Sequence, residues 1–354
     1  MLECVFSNEK EFDKLWEEAL LKINKPSLFY TSLWMKYSIV YARNSLLKDL
    51  SFVILDGDSP VAVCPLFLEQ INGQKQFSFA GGYLRAPLID KSVGDKREKK
   101  VEKYTFDIIA NLAKEYNAQK HLCLIDSHNT FDDEERYNYL TRYGYIDSSV
   151  ATQLIDTRKE LTELWKEVRK GCKWSINQGR KNYDVDIFYS HSSCFAVHEE
   201  YRKMHHRAAG RVTRPIETFN IQHEQVKSDK GILIGVKFNG EYKAFAHFLH
   251  NNKGAYYGSY AEDPDIQGVV PLGHLIIWKA IEYYKLREFN VLEIGLQQFG
   301  FQIFDNPSEK EIDIAKFKRG FGGKTYPLFR GIRFYDIQQL ISEIDSLKKR
   351  ICAP

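Results

Sequence analysis

Lys318 stands beside Phe317 and just ahead of a glycine pair, in the run Phe317-Lys318-x-x-Phe321-Gly322-Gly323. A lysine held between an aromatic neighbour and a glycine turn supplies fixed positive charge, which is what an oxyanion needs as it develops. The plainer reading makes it one of several exposed cations, with Lys316, Arg319 and Lys324, coating a strand. Glu293, ending the apolar strand Val291-Leu-Glu-Ile294, is the candidate proton acceptor. The open alternative is a structural hydrogen-bond acceptor, with proton transfer left to the substrate. Gly322 and Gly323 suit backbone at φ > 0 or close approach to a ligand, and equally an ordinary tight turn.

Lys166, Arg169, Lys170 and Lys173 recur at i, i+3, i+4 and i+7, the spacing of one helical face, with Arg180 and Lys181 following. Such a face holds phosphates of a tRNA, a nucleotide-sugar or a lipid diphosphate, or it is simply solvated. Arg207 and Arg211, in His205-His-Arg-Ala-Ala-Gly-Arg211, come next as anion binders at a helix end. Tyr256, Tyr257 and Tyr260 alternate on a predicted strand, one face for the core and the other for an acceptor groove. A metal site is not expected. His205 and His206 are adjacent and so point apart, and His247-x-x-His250 has no acidic or cysteine partner. No serine or cysteine sits in a nucleophile motif, which points to direct transfer without a covalent intermediate.

These residues must be placed by two α/β units. The chain of 354 residues exceeds one core, and 44% hydrophobic with 14% aromatic residues is ample for packing. Phe52–Glu69 and Gln76–Gly82 read as a three-stranded meander with turns at Asp56-Gly-Asp58 and Asn72-Gly73. A helix near Val101–Tyr116 and the strand Leu122–Asp126 follow. The second half repeats the plan: strands Ile232–Phe238, Tyr242–Leu249 and Ala255–Tyr260, a helix Leu272–Tyr284, then Val291–Ile294. Ala113 precedes Asp126 by the interval that separates Ala280 from Glu293, and Tyr143-Gly144-Tyr145 answers Phe321-Gly322-Gly323. The ordered set predicts a tandem mixed α/β repeat, with units 1–152 and 153–354. Thr157-Arg-Lys-Glu160 reads as a capping box opening a helix that carries Leu161, Leu164, Trp165 and Val168. An amphipathic helix follows Asp336.

The net charge of +3 is too small for an obligate nucleic-acid binder, and no DNA partner is expected. Six scattered cysteines with no CxxC pair suit a reducing compartment. Met1–Lys14 is acidic and helical in pattern without an apolar h-region, and no run reaches the ~20 apolar residues of a bilayer span. The expected location is the cytoplasm, with contact at the inner face of the membrane left open.

Meander, helix and strand in this order are those of GNAT-type N-acyltransferases. The residues narrow the likeness: Trp165…Arg169…Lys173…Ile176…Lys181, Tyr201-Arg-Lys-Met-His-His-Arg207, Tyr256-Tyr-Gly-Ser259, Pro271…Trp278-Lys-Ala-Ile281, Leu292-Glu-Ile-Gly295 and Ile314–Gly323. Together with Ser32-Leu-Trp34 and Pro65-Leu66, they resemble the Fem peptidyltransferase group of tandem GNAT-fold acyltransferases, which includes Fem-like proteins of polysaccharide clusters. The likeness runs from Pro26 to Arg333, and Phe317-Lys318-x-x-Phe321-Gly322-Gly323 is its most specific part.

The resemblance implies transfer of an acyl or aminoacyl group to a primary amine of a peptidoglycan or surface-polysaccharide precursor. The donor would be an acyl-CoA or an aminoacyl-tRNA, with no tightly bound cofactor. The acceptor would be a small or lipid-linked amino-sugar or peptide. Lys318 and Glu293 would be catalytic; Phe317, Phe321, Gly322, Gly323, Arg207, Arg211, Tyr257, Trp34, Lys166, Arg169 and Lys173 would bind substrate. The second unit would do the chemistry, and a degenerate first unit would shape the acceptor groove. Gln267-Gly268-Val-Val-Pro-Leu-Gly273 only approximates the GNAT pyrophosphate loop, and the helical-hairpin insertion of some Fem proteins is missing. The rival reading is a non-catalytic scaffold of a polysaccharide assembly using the same groove.

Overall fold

A computed structural model describes the chain except for residues 24–25, 132–136, 267–271 and 353–354 and the side chains of 129 and 130. The loop Gln267–Gly273 therefore lies outside the described residues up to Leu272. Two compact units are present: Met1–Val150 with Phe301–Asn306 and Pro327–Pro354, and Ala151–Gly300 with Pro307–Tyr326.

The chain begins with strand β1 (Leu2–Phe6) and helices α1 (Phe12–Lys22) and α2 (Ser32–Ala42). Strands β2 (Leu46–Asp49), β3 (Phe52–Asp56), β4 (Ser59–Cys64), β5 (Phe67–Ile71), β6 (Gln74–Phe77), β7 (Leu84–Arg85) and β8 (Leu88–Ile89) follow. Helix α3 (Asp95–Tyr116) leads to β9 (Lys120–Leu124), α4 (Ser127–Thr130) and β10 (Ile146–Asp147). Next come β11 (Val150–Asp156), α5 (Leu161–Glu167), α6 (Lys170–Asn182), β12 (Asp184–Phe188), α7 (Phe195–Ala209) and α8 (Ile216–Lys227). The meander β13 (Gly231–Phe238), β14 (Glu241–Asn251) and β15 (Gly254–Glu262) precedes α9 (Leu272–Leu286), β16 (Val291–Gln297), α10 (Glu309–Arg319) and β17 (Lys324–Leu328). Strand β18 (Arg330–Phe334) and helix α11 (Ile337–Ile351) close the chain.

In the second unit the sheet order is β12-β13-β14-β15-β16-β11-β17. Its strands alternate as a two-sided sheet requires: Ile232, Ile234, Ala246 and Phe248 join one core with α9, while Leu233 and Phe245 join the other with Tyr201 and Phe219. Helix α9 is apolar nearly all round, burying Leu275, Ile276, Ile277, Trp278, Ile281 and Tyr284. Each such side chain contributes on the order of 2 kcal/mol. Gly179 of α6 lets that helix approach closely, since a Cβ there would stand 3.1 Å from Leu275.

The first unit also runs strand, two helices, a set of antiparallel strands, helix and strand, but without counterparts of α7 and α8 and with its strands distributed differently. The expected single meander divides at Cys64-Pro65: β3 and β4 pair in a four-stranded sheet, β5 and β6 in a seven-stranded one. Pro65 has no N–H for a ladder, so the run Val61–Glu69 breaks into β4 and β5 there. Met1–Lys14 is not one helix either. Leu2–Phe6 pairs antiparallel with β3, and helix begins at Phe12. The first helix of the repeat starts at Asp95 instead of Val101.

The second unit does not run to Pro354. Strand β18 pairs antiparallel with β9, Ile332 facing Leu122, and so returns to the first unit. No helix among the described residues is long and apolar enough to cross a membrane.

Candidate active site

Parallel pairing of β15 with β16 is confined to Gly254–Tyr256 against Val291–Glu293. Beyond that point, among the described residues, each strand keeps only its outer partner, β15 following β14 to Glu262 and β16 following β11 to Gln297. Two strands bound outward and unpaired inward must diverge, and their facing N–H and C=O groups line a wedge. Glu293 lies at the last paired position, in mid-strand and not at the strand end expected, because β16 continues to Gln297. It accepts a hydrogen bond from Thr152 Oγ1 at 2.6 Å.

Two residues later β16 is distorted. The pairing with β11 slips between Gln153 and Leu154, and Gly295 takes φ +98, a conformation that L side chains rarely adopt. A Cβ there would lie 2.8 Å from Lys318 Nζ, so the lysine hangs over the bare glycine backbone. Lys318 sits in the last turn of α10, a capped helix opened by the Ser308/Glu311 box, and not on a strand. Burial pulls its pKa below the usual 10.5, while the neighbouring Glu293 carboxylate pulls it back up. A half-buried cation therefore stands beside a carboxylate at the point where the sheet opens.

The segment after Lys318 fixes that position. Phe321 is buried in the core with Phe317 packed edge-on at 5.2 Å and His274 at 4.8 Å from Phe317. Gly322 and Gly323 take φ +82 and +75, and added Cβ atoms would meet Glu167 Cβ at 2.6 Å and Leu154 O at 2.2 Å. These glycines make room for protein backbone and side chain. The Gly322 carbonyl accepts from Gln153 Nε2 at 2.5 Å, and the Gly323 N–H donates to Glu167 at 3.1 Å. Arg319 is tied by its guanidinium to Gln297 Oε1 at 2.8 Å.

The tyrosines of β15 do not simply alternate. His247 pairs with Ser259 but Phe248 with Tyr257, so Gly258 is a bulge. The bulge turns both Tyr257 and Tyr260 toward the α9 core and sends Ser259 to the opposite face. Burial raises the Tyr257 and Tyr260 hydroxyl pKa values, with Glu262, which Tyr260 donates to, adding to the second. On the Ser259 face lies a polar cluster that motif reading did not single out. Tyr201 Oη meets Ser259 Oγ at 2.5 Å, and Arg214 donates to Tyr201 Oη at 3.2 Å and to Gln222 Oε1 at 3.0 Å. Gln222 in turn reaches the fully buried His247 at 3.4 Å. The runs Tyr201–Arg207 and Tyr256–Ser259 supplied two of its members, but the hydrogen-bonded partners lie 8 to 58 residues apart and nothing in the sequence joined them.

The basic face is rearranged. Helix α5 stops at Glu167, Val168 and Arg169 are extended, and α6 starts afresh at Lys170. Arg169 is thus the N-cap of α6, and Lys166, Arg169, Lys170 and Lys173 do not share a helical face. The Arg169 N–H donates to Gly320 O at 2.9 Å, which breaks the helix to hold the end of α10. Lys173 caps the Lys166 carbonyl at 3.2 Å and lies 5.8 Å from the Trp165 ring. The capping box also falls later than expected: Glu163 takes the Glu160 N–H at 3.1 Å, while Thr157 Oγ1 donates to Phe289 O.

Arg207 forms an ion pair with Asp263 at 2.8 Å, and Arg211 is exposed beyond the Gly210 cap of α7. Trp34, in the first unit, stacks on Tyr37 at 4.9 Å and meets Phe29 edge-on at 4.8 Å. Among the described residues no group of three His, Cys, Asp or Glu is arranged to hold a metal ion.

No protein-family model matches the sequence, and no curated protein matches it either. Solved structures do. FemX superposes with a TM-score of 0.63 over 97% of this chain and 100% of its own, at 13% identity. The C-terminal domain of a putative lysylphosphatidylglycerol synthetase from Agrobacterium fabrum gives 0.57, covering 95% of this chain and 96% of that one at 10% identity. A tandem GNAT protein from the clavulanic acid biosynthesis pathway gives 0.51, at 94% and 98% coverage and 15% identity. In fold, this chain is a tandem GNAT-type protein of the kind FemX represents.

Proposed function

We propose that the chain is an acyltransferase, moving an acyl or aminoacyl group to a primary amine of a cell-envelope precursor at the second unit's wedge. The observation that carries this reading is Lys318, half-buried over Gly295 where β15 and β16 part, with Glu293 beside it. Strand edges left unpaired suit an extended, amide-bearing donor arm, which they bind as they would a strand. A neutral amine attacks the donor carbonyl; negative charge gathers on the carbonyl oxygen, where the Lys318 ammonium stabilises it. The attacking nitrogen, positively charged once bonded to the carbonyl carbon, gives its proton to Glu293 or through water to solvent. The carbon–sulfur or carbon–oxygen bond to the donor then breaks, and the leaving thiolate or ribose oxygen takes a proton as the amide forms.

The first unit supports a non-catalytic part. There the strand β9 is paired with β6 only at Gln76–Phe77, and the place where a wedge would open is closed by β7, with Leu84 on Cys123 and Arg85 on Leu124. Asp126, at the interval from Ala113 that Glu293 keeps from Ala280, follows β9 and caps α4 by accepting from the His128 N–H. That unit, with the Trp34 cluster, is assigned to acceptor recognition. Donors are acyl-CoA or aminoacyl-tRNA used as co-substrates, Lys166, Arg169 and Arg211 being the exposed cations offered to their phosphates. Work at the inner face of the membrane fits a lipid-linked acceptor.

Native mass spectrometry with acetyl-CoA, longer acyl-CoAs and charged tRNAs offered together tests the donor. A retained CoA thioester displaced by free CoA supports acyl-CoA, and RNase-sensitive retention of charged tRNA supports an aminoacyl donor. Retention of neither would favour the scaffold reading.

A further inference from the structure

Helix α6 meets its own unit along one side and turns the opposite side to solvent. Cys172, Ser175, Ile176 and Gly179 are buried, with Cys172 and Ile176 in the core that holds α9 and Gly179 against Leu275. Lys170, Trp174, Asn177 and Lys181 are all exposed. At about 100° per residue these four, spaced i, i+4, i+7 and i+11, fall on one line opposite the buried four. The line runs straight for about 16 Å along the convex side of the helix. Trp174 stands in its middle, 59% exposed, whereas Trp16 and Trp278 are each 2% exposed.

The charges say what the line faces. Lys170–Asn182 contains no acidic residue. Lys170 opens the helix, where a cation opposes the helix dipole, so stability of α6 does not account for it. The acids nearest in the fold are engaged elsewhere: Glu167 by Lys159 and the Gly323 N–H, and Glu282 by Arg180 and Lys279. Asp184 lies past the helix, on β12. A straight row of lysine, tryptophan and lysine complements a flat negative surface, which phospholipid headgroups provide. The ammonium groups reach the phosphates, and an indole, apolar in body with one polar N–H, settles at headgroup level. RNA fits less well, because single strands are held in grooves lined by successive rings, and this convex row carries one. We propose that α6 is a peripheral membrane contact that lays Lys170, Trp174 and Lys181 on an anionic phospholipid surface. One ring and two aligned lysines make the contact reversible and sensitive to salt. It stands whether or not the wedge transfers an acyl group, since none of the three residues has a part there.

Co-sedimentation of the full chain with sucrose-loaded vesicles reads the result. Vesicles of about one-third phosphatidylglycerol in phosphatidylcholine are set against pure phosphatidylcholine at about 0.1 M salt. The expected outcome is binding to the anionic vesicles alone, weakened severalfold at about 0.5 M salt. Lys170→Gln/Lys181→Gln should weaken it by about 30-fold, each lysine being worth roughly fivefold. Trp174→Ala should weaken it severalfold at unchanged charge. Both variants should keep the wild-type circular dichroism and thermal midpoint. No binding to anionic vesicles, binding that survives the double substitution, or equal binding by Trp174→Ala would overturn the proposal. So would binding of deacylated tRNA, but not of vesicles, that is lost in the double variant, which would make the face an RNA contact.

Discussion

At the scale of residues the account rests on a lysine whose surroundings do two opposed things. Burial removes water from the Lys318 ammonium, and Glu293 keeps it charged. Lys318→Ala should leave the fold intact and lower turnover by about 100-fold, the usual scale for losing an oxyanion donor. Near-normal turnover in that variant would remove Lys318 from the mechanism. The sign of the pH dependence follows from the same environment: the protonated amine is the active form and its pKa is depressed. Turnover should therefore fall on the alkaline side at a pH below 10.5, and Lys318→Arg should move that limb out of reach. Gly295→Ala offers a second probe. Its Cβ meets only the far end of the lysine side chain, so the ammonium is displaced while the φ of +98 costs roughly 1–2 kcal/mol. A turnover loss approaching that of Lys318→Ala is expected, and unaltered turnover would show that the ammonium's place over Gly295 is immaterial. Lys318 and Glu293 could be picked out as candidates because few residue types serve such chemistry, and the structure sets them beside each other. Tyr201 and Ser259 stood in two of the runs that carry the resemblance, but nothing in the sequence joined them to each other or to Arg214 until α7, α8 and β15 brought them together.

At the scale of elements, the glycines that close the Phe317–Gly323 segment are fitted to protein, and their substitution separates conformational strain from steric overlap. Gly323→Ala combines φ +75 with a Cβ 2.2 Å from Leu154 O, and should cost at least about 2 kcal/mol. Gly210→Ala, at φ +65 with nothing within 4 Å, should cost only about 1 kcal/mol. Equal urea midpoints for the two variants would contradict the packing argument. The meander-helix-strand repeat could be read from turn residues and hydrophobic runs, because hairpin turns and buried helices are decided locally. The division of the first meander was marked locally by Pro65, whose missing N–H breaks the ladder, though the sheet each half joins was not. The break at Val168–Arg169 could not be read, because it is set by a tertiary partner, the Gly320 carbonyl that claims the Arg169 N–H. The i, i+3, i+4, i+7 pattern of cations was real in the sequence and irrelevant to a helix that ends within it.

For the whole molecule, sequence order misled at the C-terminus, where β18 leaves the second unit to pair with β9. Nothing local in Arg330–Phe334 names its partner; non-local pairing is decided by which edge is free. Both units also share an acid weakness. Burial, with Arg333 adding to it, holds His121 of the first unit neutral down to about 3. Burial and His223 do the same for His198 of the second, and burial, with Lys230 and Arg287 adding to it, brings His250 to about 4 against the opposing pull of Asp229. Unfolded, these rings take up protons below their usual 6.5, so their full contribution is present above that value and is lost as pH falls toward 4. Each contributes a loss of up to about 1.4 kcal/mol per pH unit in that window. Urea midpoints should drop steadily between pH 6.5 and 4.5 with proton uptake on unfolding, and a flat profile would contradict this. The central claim, that chemistry belongs to the open wedge of the second unit and not to its closed counterpart, is tested most directly by hydrogen–deuterium exchange with the donor that the protein retains. The account predicts donor-dependent protection in β15, β16 and the Phe317–Gly323 segment, with β6, β7 and β9 unchanged. Protection confined to β6, β7 and β9 would contradict it.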